Sequence, residues 1–267
     1  MTDARPIAII CAIPTRGTMS IETHHCLTNC MASLPHVEFV VARKPVDDAR
    51  NILAAAIRSL NDDAILSFRA PYVLWCDDDS MWTSEAVQRA IQYLDVRPEI
   101  DILTGFYSAR LPNAPPMVFL KEPPEARAHP SMGELVEIRT ASFHWLWMRR
   151  EVLDKLGDGP FTIEGTGALL EDAAFFIRAQ SVGLRTFCAT QLVIAHIEAS
   201  TGVGYLPDSP ALLSDGRRLT SIIENYVPEI VYRDYGPKVN ASIARVHAKN
   251  RSERRQAFRH AKGAGNS

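Results

Sequence analysis

Over its first hundred residues the chain alternates short apolar runs with amphipathic stretches, and few folds accept that pattern. Ile7 to Ile13 is unbroken and apolar, and it ends at Pro14-Thr15-Arg16-Gly17. That reads as a buried strand feeding a turn. Residues 19–34 read as helix, and Val37 to Ala42 as a second strand. Asp47-Asp48 opens an amphipathic helix carrying Ala49, Ile52, Leu53, Ala56, Ile57 and Leu60 on one face. Acidic residues suit a helix start. Tyr72 to Cys76 is a third strand that stops at Asp77-Asp78-Asp79. A helix with Ala86, Val87, Ala90, Ile91 and Leu94 follows, and Ile100 to Thr104 is a fourth strand ending at Gly105. Strands separated by helices make βαβ units and a largely parallel sheet. Ligands of such sheets bind beyond the carboxyl ends of the strands. Residues 14–17 and 77–79 should therefore meet at one edge.

Residues 111–133 change character. Leu111-Pro112-Asn113-Ala114-Pro115-Pro116 and Glu122-Pro123-Pro124 break regular structure, which reads as a long loop or flap. Phe143 to Met148 is apolar again, and Glu151 to Leu156 is a short helix before Gly157. Residues 171–182 form another amphipathic helix, and Thr186 to Ile197 a last strand containing His196. With 267 residues and 46% hydrophobic residues the chain can bury a sizeable core. No stretch approaches the roughly 18–20 apolar residues of a membrane span. The five cysteines are irregularly spaced and contain no CxxC pair, so a structural zinc site is not expected. Cys26 and Cys30, beside His24 and His25, read as thiols buried on one helix face. A reducing, cytoplasmic compartment is the simplest expectation.

Asp77-Asp78-Asp79 carries the sharpest chemical signal. Three carboxylates directly after a buried strand repel one another without a counter-charge. A hard divalent cation, Mg²⁺ or Mn²⁺, supplies one and favours carboxylate and phosphate oxygens. The plainer alternative is an acidic helix cap in solvent.

The run Tyr72-Val73-Leu74-Trp75-Cys76-Asp77-Asp78-Asp79 resembles the strand and DxD motif of GT-A glycosyltransferases, of a family 2-like, phage or bacterial type. Further segments resemble the same family in order. They are Pro14-Thr15-Arg16-Gly17, Asp48-Ala49-Arg50-Asn51, Thr104-Gly105-Phe106-Tyr107, Trp147-Met148-Arg149-Arg150-Glu151-Val152-Leu153, Glu171-Asp172 and His196. The resemblance spans about residues 5–198. It implies an α/β GT-A fold with a mixed, mainly parallel sheet flanked by helices. It implies a glycosyltransferase domain over 1–200, with a nucleotide-sugar half at about 1–110 and an acceptor half at about 111–200. It also implies a nucleotide diphosphate sugar as donor and Mn²⁺ or Mg²⁺ as cofactor. Asp77, Asp79 and His196 would be metal ligands. Pro14, Thr15, Arg16, Gly17, Asp48, Arg50, Asp77, Asp78 and Gly105 would bind the nucleotide sugar, and His144 and Trp145 would line the sugar and acceptor site. Asp172, with Glu171 next, would be the carboxylate that takes the acceptor's proton in an inverting enzyme, or positions the acceptor in a retaining one.

The formal net charge of -2 averages unlike parts. Residues 238–262 hold Lys238, Arg245, Lys249, Arg251, Arg254, Arg255, Arg259 and Lys262 against Glu253 alone, and the rest of the chain is acidic. A helical basic extension within 201–267 is expected. Arg251, Arg254, Arg255 and Arg259 would share one face and suit a phosphate backbone. One acceptor reading is therefore DNA carrying hydroxymethylated bases, which would have to be flipped out of the duplex. The alternative of another class is a nucleotidyltransferase, but residues 14–17 lack the Gly-rich loop such enzymes carry after the first strand.

Overall fold

The structure, a computed structural model, describes residues 7–32, 34–60, 69–122, 126–198, 203–207 and 212–213. The basic segment 238–262, with its expected helix and nucleic-acid contacts, lies outside the described residues.

The expected alternation is present. Strand β1 (Ile7–Thr15) lies parallel to both β2 (His36–Ala42) and β3 (Arg69–Cys76). Between β1 and β2 come a short helix α1 (Ile21–His25) and a π-helical turn at Cys26–Cys30, where one continuous helix was expected. Helix α2 (Val46–Ser59) links β2 to β3, and Asp47 and Asp48 sit in its first turn. A two-residue strand β4 (Ser80–Met81), helix α3 (Ser84–Val96) and β5 (Ile102–Phe106) follow. The proline-rich region is not all loop. It ends in a hairpin of β6 (Val118–Leu120) and β7 (Leu135–Ala141). Next come β8 (Trp145–Arg149), α4 (Glu151–Leu156), α5 (Glu171–Ser181) and β9 (Thr186–Val193).

These strands form one eight-stranded sheet in the order β2-β1-β3-β8-β5-β9-β7-β6. Strands β8 and β7 run against the other six, so the sheet is mixed but mainly parallel. Residues 8–14 of β1 and all of β5 are buried on both sides of the pleat, as strands covered on both faces must be.

The last strand expected over Thr186 to Ile197 is broken at Ile194. Beyond the break β10 (Ala195–Glu198) joins a small second sheet with β4, β11 (Val203–Tyr205) and β12 (Leu212–Leu213). That break positions the site. In the new sheet His196 pairs antiparallel with Ser80, and Ile197 N–H donates to the Asp79 carbonyl at 2.7 Å. The segment after β3 is thereby sutured to a strand over a hundred residues later.

Candidate active site

Three backbone pairings bring the candidate residues together. At the end of β3, Cys76 pairs with Trp145, and Asp77 N–H donates to the His144 carbonyl at 3.1 Å. Ser20 N–H donates to the Asp78 carbonyl at 2.8 Å, holding the chain that follows β1 against the same turn. Strand β10 supplies His196 through the register just described. The expectation that residues 14–17 and 77–79 meet at the sheet edge is met: Pro14, Thr15 and Arg16 line a cleft with Asp77, Asp78 and Asp79. The cleft has a volume of about 550 Å³, and Arg50, Arg110, Phe143, Glu171, Asp172 and His196 also line it. A space of that size accommodates a drug-sized ligand.

The three aspartates have separate jobs. Asp78 is a staple: its carboxylate accepts from Thr15 Oγ1 at 2.6 Å and from Arg16 N–H at 3.2 Å. Asp77 faces a buried arginine. Arg50 Nη2 donates to Asp77 Oδ1 at 2.8 Å, and Arg50 Nη1 donates to Glu171 Oε1. Burial pushes the Asp77 carboxyl up to about 6, even with Arg50 beside it. Asp79 is almost buried and faces two imidazoles. Its Oδ2 lies 3.3 Å from His196 Nε2 and 2.9 Å from Arg110 Nη1, and its Oδ1 lies 3.6 Å from His144 Nδ1.

The tautomers decide what Asp79, His144 and His196 can hold. His144 Nε2 lies 3.1 Å from the Ala195 carbonyl, so it carries the ring proton. Burial, and then His196, hold His144 down at about 3, so the ring is neutral and Nδ1 is a bare lone pair. Ser80 does not protonate that atom, because its single hydroxyl proton goes to the nearer His144 carbonyl at 2.6 Å. His196 Nδ1 lies 3.1 Å from the Ser108 carbonyl and its Nε2 lies 3.3 Å from Asp79 Oδ2; in the tautomer that donates to Ser108, Nε2 is the ligand atom. Asp79 Oδ1 is buried without a hydrogen-bond partner. Burial alone would raise the Asp79 carboxyl. The contacts with His196 and His144 and the charge of Arg110 outweigh it, and the carboxyl sits at about 2. Asp79, His144 and His196 thus each offer one ligand atom, and these atoms all lie within 4.8 Å of one another. This donor set fits a divalent cation.

Sequence reasoning had placed Asp77 with Asp79 and His196 as ligands. The cluster instead takes His144, and Asp77 is committed to Arg50. His144 had been read as an acceptor contact. Its ligand character depends on which ring nitrogen the Ala195 carbonyl claims, and local sequence does not carry that information.

Two further readings change. Trp145 is fully buried and stacks edge-on against Trp147 at 5.7 Å, so it is core and not a sugar platform. Gly105 is also buried. A Cβ there would lie 2.6 Å from Ile194 Cγ1 and 2.8 Å from the Leu192 carbonyl oxygen, so the glycine serves close packing at the break in β9–β10. Asp48 is exposed on α2, and Ala49 and Arg50 reach the cleft in its place. Gly17 has φ of 115°, which only glycine adopts easily, and it turns the chain after β1.

Helix α5 brings the last carboxylates. Phe175 and Phe176 pack on Phe143, and Phe175 also stacks on Phe161 at 5.0 Å, which anchors the helix beneath the cleft. The Arg50 guanidinium lies 5.0 Å over the Phe143 ring. Glu171, in the first turn, is spent on Arg50. Asp172 lines the cleft, and burial, followed by the Glu171 charge, raises its carboxyl above the usual range. Among the described residues no helix is long and apolar enough to cross a membrane.

No protein-family model matches the chain, and no curated protein matches it. Among solved structures it is similar to A197 from STIV, with a TM-score of 0.56 and 16% identity over 79% of this chain and 94% of that one. It is less similar to the inositol-1-phosphate CTP transferase from T. maritima, with a TM-score of 0.39, 12% identity, and 85% and 99% of the two chains covered. For glucosyl-3-phosphoglycerate synthase from Mycobacterium tuberculosis, solved with Mn²⁺ and uridine-diphosphate-glucose, the TM-score is 0.35 at 14% identity, over 68% and 67%. The similarity to A197 establishes a shared fold and no activity; the other two are too distant to argue from. The fold is GT-A-like: a mixed, mainly parallel sheet flanked by helices, with its cleft where residues 14–17 meet the end of β3.

Proposed function

We propose that the protein is a metal-dependent glycosyltransferase that moves a sugar from a nucleotide diphosphate sugar to an acceptor hydroxyl. The observation that carries this reading is the convergence of one ligand atom each from Asp79, His144 and His196 at the carboxyl edge of the sheet, with Asp79 Oδ1 buried and unpartnered. A divalent ion held there would supply Lewis-acid neutralisation of a diphosphate leaving group. Two imidazole nitrogens and one carboxylate suit Mn²⁺ better than Mg²⁺, which prefers an all-oxygen shell.

The chain's own residues supply the rest. Pro14, Thr15 and Arg16 form the wall against which the nucleotide lies, with Thr15 and Arg16 held by Asp78. Arg50 fixes Asp77 and Glu171 in one buried network, so the floor of the cleft is rigid. Asp172 faces the cleft with no guanidinium partner among the described residues, and its raised basicity suits it to take the acceptor hydroxyl proton. The cleft draws on both expected halves: Pro14, Thr15, Arg16 and Asp77 come from 1–110, and Ser142, Phe143, Asp172 and the ligand His196 from 111–200.

The test is release of nucleoside diphosphate from a panel of nucleotide sugars with Mn²⁺. Slow donor hydrolysis by the protein, lost in Asp79→Ala, is expected. Pyrophosphate release from nucleoside triphosphates instead would make it a nucleotidyltransferase.

A further inference from the structure

Arg110 was not singled out by the sequence pattern, yet its guanidinium reaches the three-residue cluster. It rises from a short excursion whose base is closed by the Ser108–Pro116 bridge and by Met117 N–H donating to the Tyr107 carbonyl at 2.9 Å. Its Nη1 donates to Asp79 Oδ2 at 2.9 Å, its side chain is 33% exposed, and it lines the cleft. Arg50, the other guanidinium near the cluster, is consumed by two carboxylates. Among the described residues Arg110 pairs with Asp79, the same carboxylate the cation site needs.

The charges make a simple argument. Asp79 and Arg110 cancel as an ion pair. A divalent ion added to that pair brings the group to a net charge of plus two, which is the charge that balances a diphosphate diester. A guanidinium on the rim presents the planar, forked donors that phosphate oxygens accept best. We infer that Arg110 changes partners: it pairs with Asp79 in the free protein and turns to the donor diphosphate once a divalent ion is bound at Asp79. The inference rests on the glycosyltransferase reading and adds a diphosphate contact to it. Two opposite effects follow. Arg110 competes with the ion for Asp79, and it strengthens the hold on the diphosphate.

The experiment is calorimetric titration of the full chain and of Arg110→Gln and Arg110→Lys. Mn²⁺ is titrated first without nucleotide. Next, at saturating Mn²⁺, comes whichever of UDP, GDP, ADP, CDP and dTDP binds the wild type. Arg110→Gln should bind Mn²⁺ as tightly as wild type or several-fold tighter, and bind the nucleoside diphosphate roughly 10- to 100-fold more weakly. Arg110→Lys, which keeps the charge but loses the fork, should fall between. Equal nucleotide affinity in Arg110→Gln would overturn the inference. So would parallel weakening of Mn²⁺ and nucleotide, the mark of a residue that merely braces Asp79. If no nucleoside diphosphate binds the wild type, the glycosyltransferase reading itself fails, and this inference with it.

Discussion

Replacing Arg50 with methionine tests the rigidity ascribed to the floor of the cleft. Arg50 has a side chain only 4% exposed, with bonds to Asp77 Oδ1 and Glu171 Oε1, and its guanidinium covers Phe143. Methionine keeps much of the volume and the contact with the ring, so the loss is mainly electrostatic. It strands two partly or wholly buried carboxylates, and breaking a buried network from one side costs about 3–5 kcal/mol. Removing all the charges together costs much less, because no ion is then left unpaired. The prediction is therefore a pair of results. Arg50→Met loses about 3–5 kcal/mol in urea unfolding with an unchanged slope. Arg50→Met combined with Asp77→Asn and Glu171→Gln recovers at least half of that. A single variant within about 1 kcal/mol of wild type, the range of an exposed ion pair, would refute the reasoning. So would a triple variant no more stable than the single one.

Three other predictions concern individual residues. His144→Gln should weaken Mn²⁺ binding by more than about tenfold, as titration calorimetry would show, since even a residue behind a ligand commonly costs that much; unchanged affinity would remove His144 from the cluster. Asp172→Asn should keep nucleotide binding but lower transfer by roughly 10²–10⁴-fold, whereas Glu171→Gln should lower stability more than Asp172→Asn does, in parallel assays of turnover and unfolding. Gly105→Ala should cost about 1–3 kcal/mol through overpacking against Ile194 and Leu192, and leave nucleotide affinity in folded protein unchanged; the reverse pattern would restore Gly105 to the nucleotide site.

Much of the fold could be read because its central strands, such as β1 and β5, are buried on both faces. Ile7 to Ile13 and Tyr72 to Cys76 are continuous apolar runs, and α2 and α3 carry clear helical periodicity, so the βα alternation and the meeting of residues 14–17 with 77–79 followed. Strand β6 was read as loop because it is three residues long and surrounded by prolines. The break at Ile194 was hidden because apolar residues continue across it: one uninterrupted run serves two different sheets. At the site, residue type pointed to Asp79 and His196, which the structure brings together, and to Asp172, which lines the cleft. It failed where partners from distant segments decide. Asp77 was assigned to the ion because nothing local indicates that Arg50 claims it. Trp145 and Gly105 sit near the cleft in sequence but point into packed core. Arg110 lies between the fourth expected strand and the loop expected over 111–133, where the sequence carried no pattern.

The account's central claim is that the cleft holds a nucleoside diphosphate through a divalent ion at Asp79, His144 and His196. Thermal unfolding with UDP, GDP, ADP, CDP and dTDP, each with and without Mn²⁺, tests it most directly. A ligand at one hundred times its Kd stabilises by about 2.7 kcal/mol, a rise of roughly 5–10 °C for a chain of this size. The account predicts such a rise for at least one nucleotide, only when Mn²⁺ is present, and none in Asp79→Ala. Stabilisation independent of Mn²⁺, an equal rise in Asp79→Ala, or no rise with any nucleotide would contradict it.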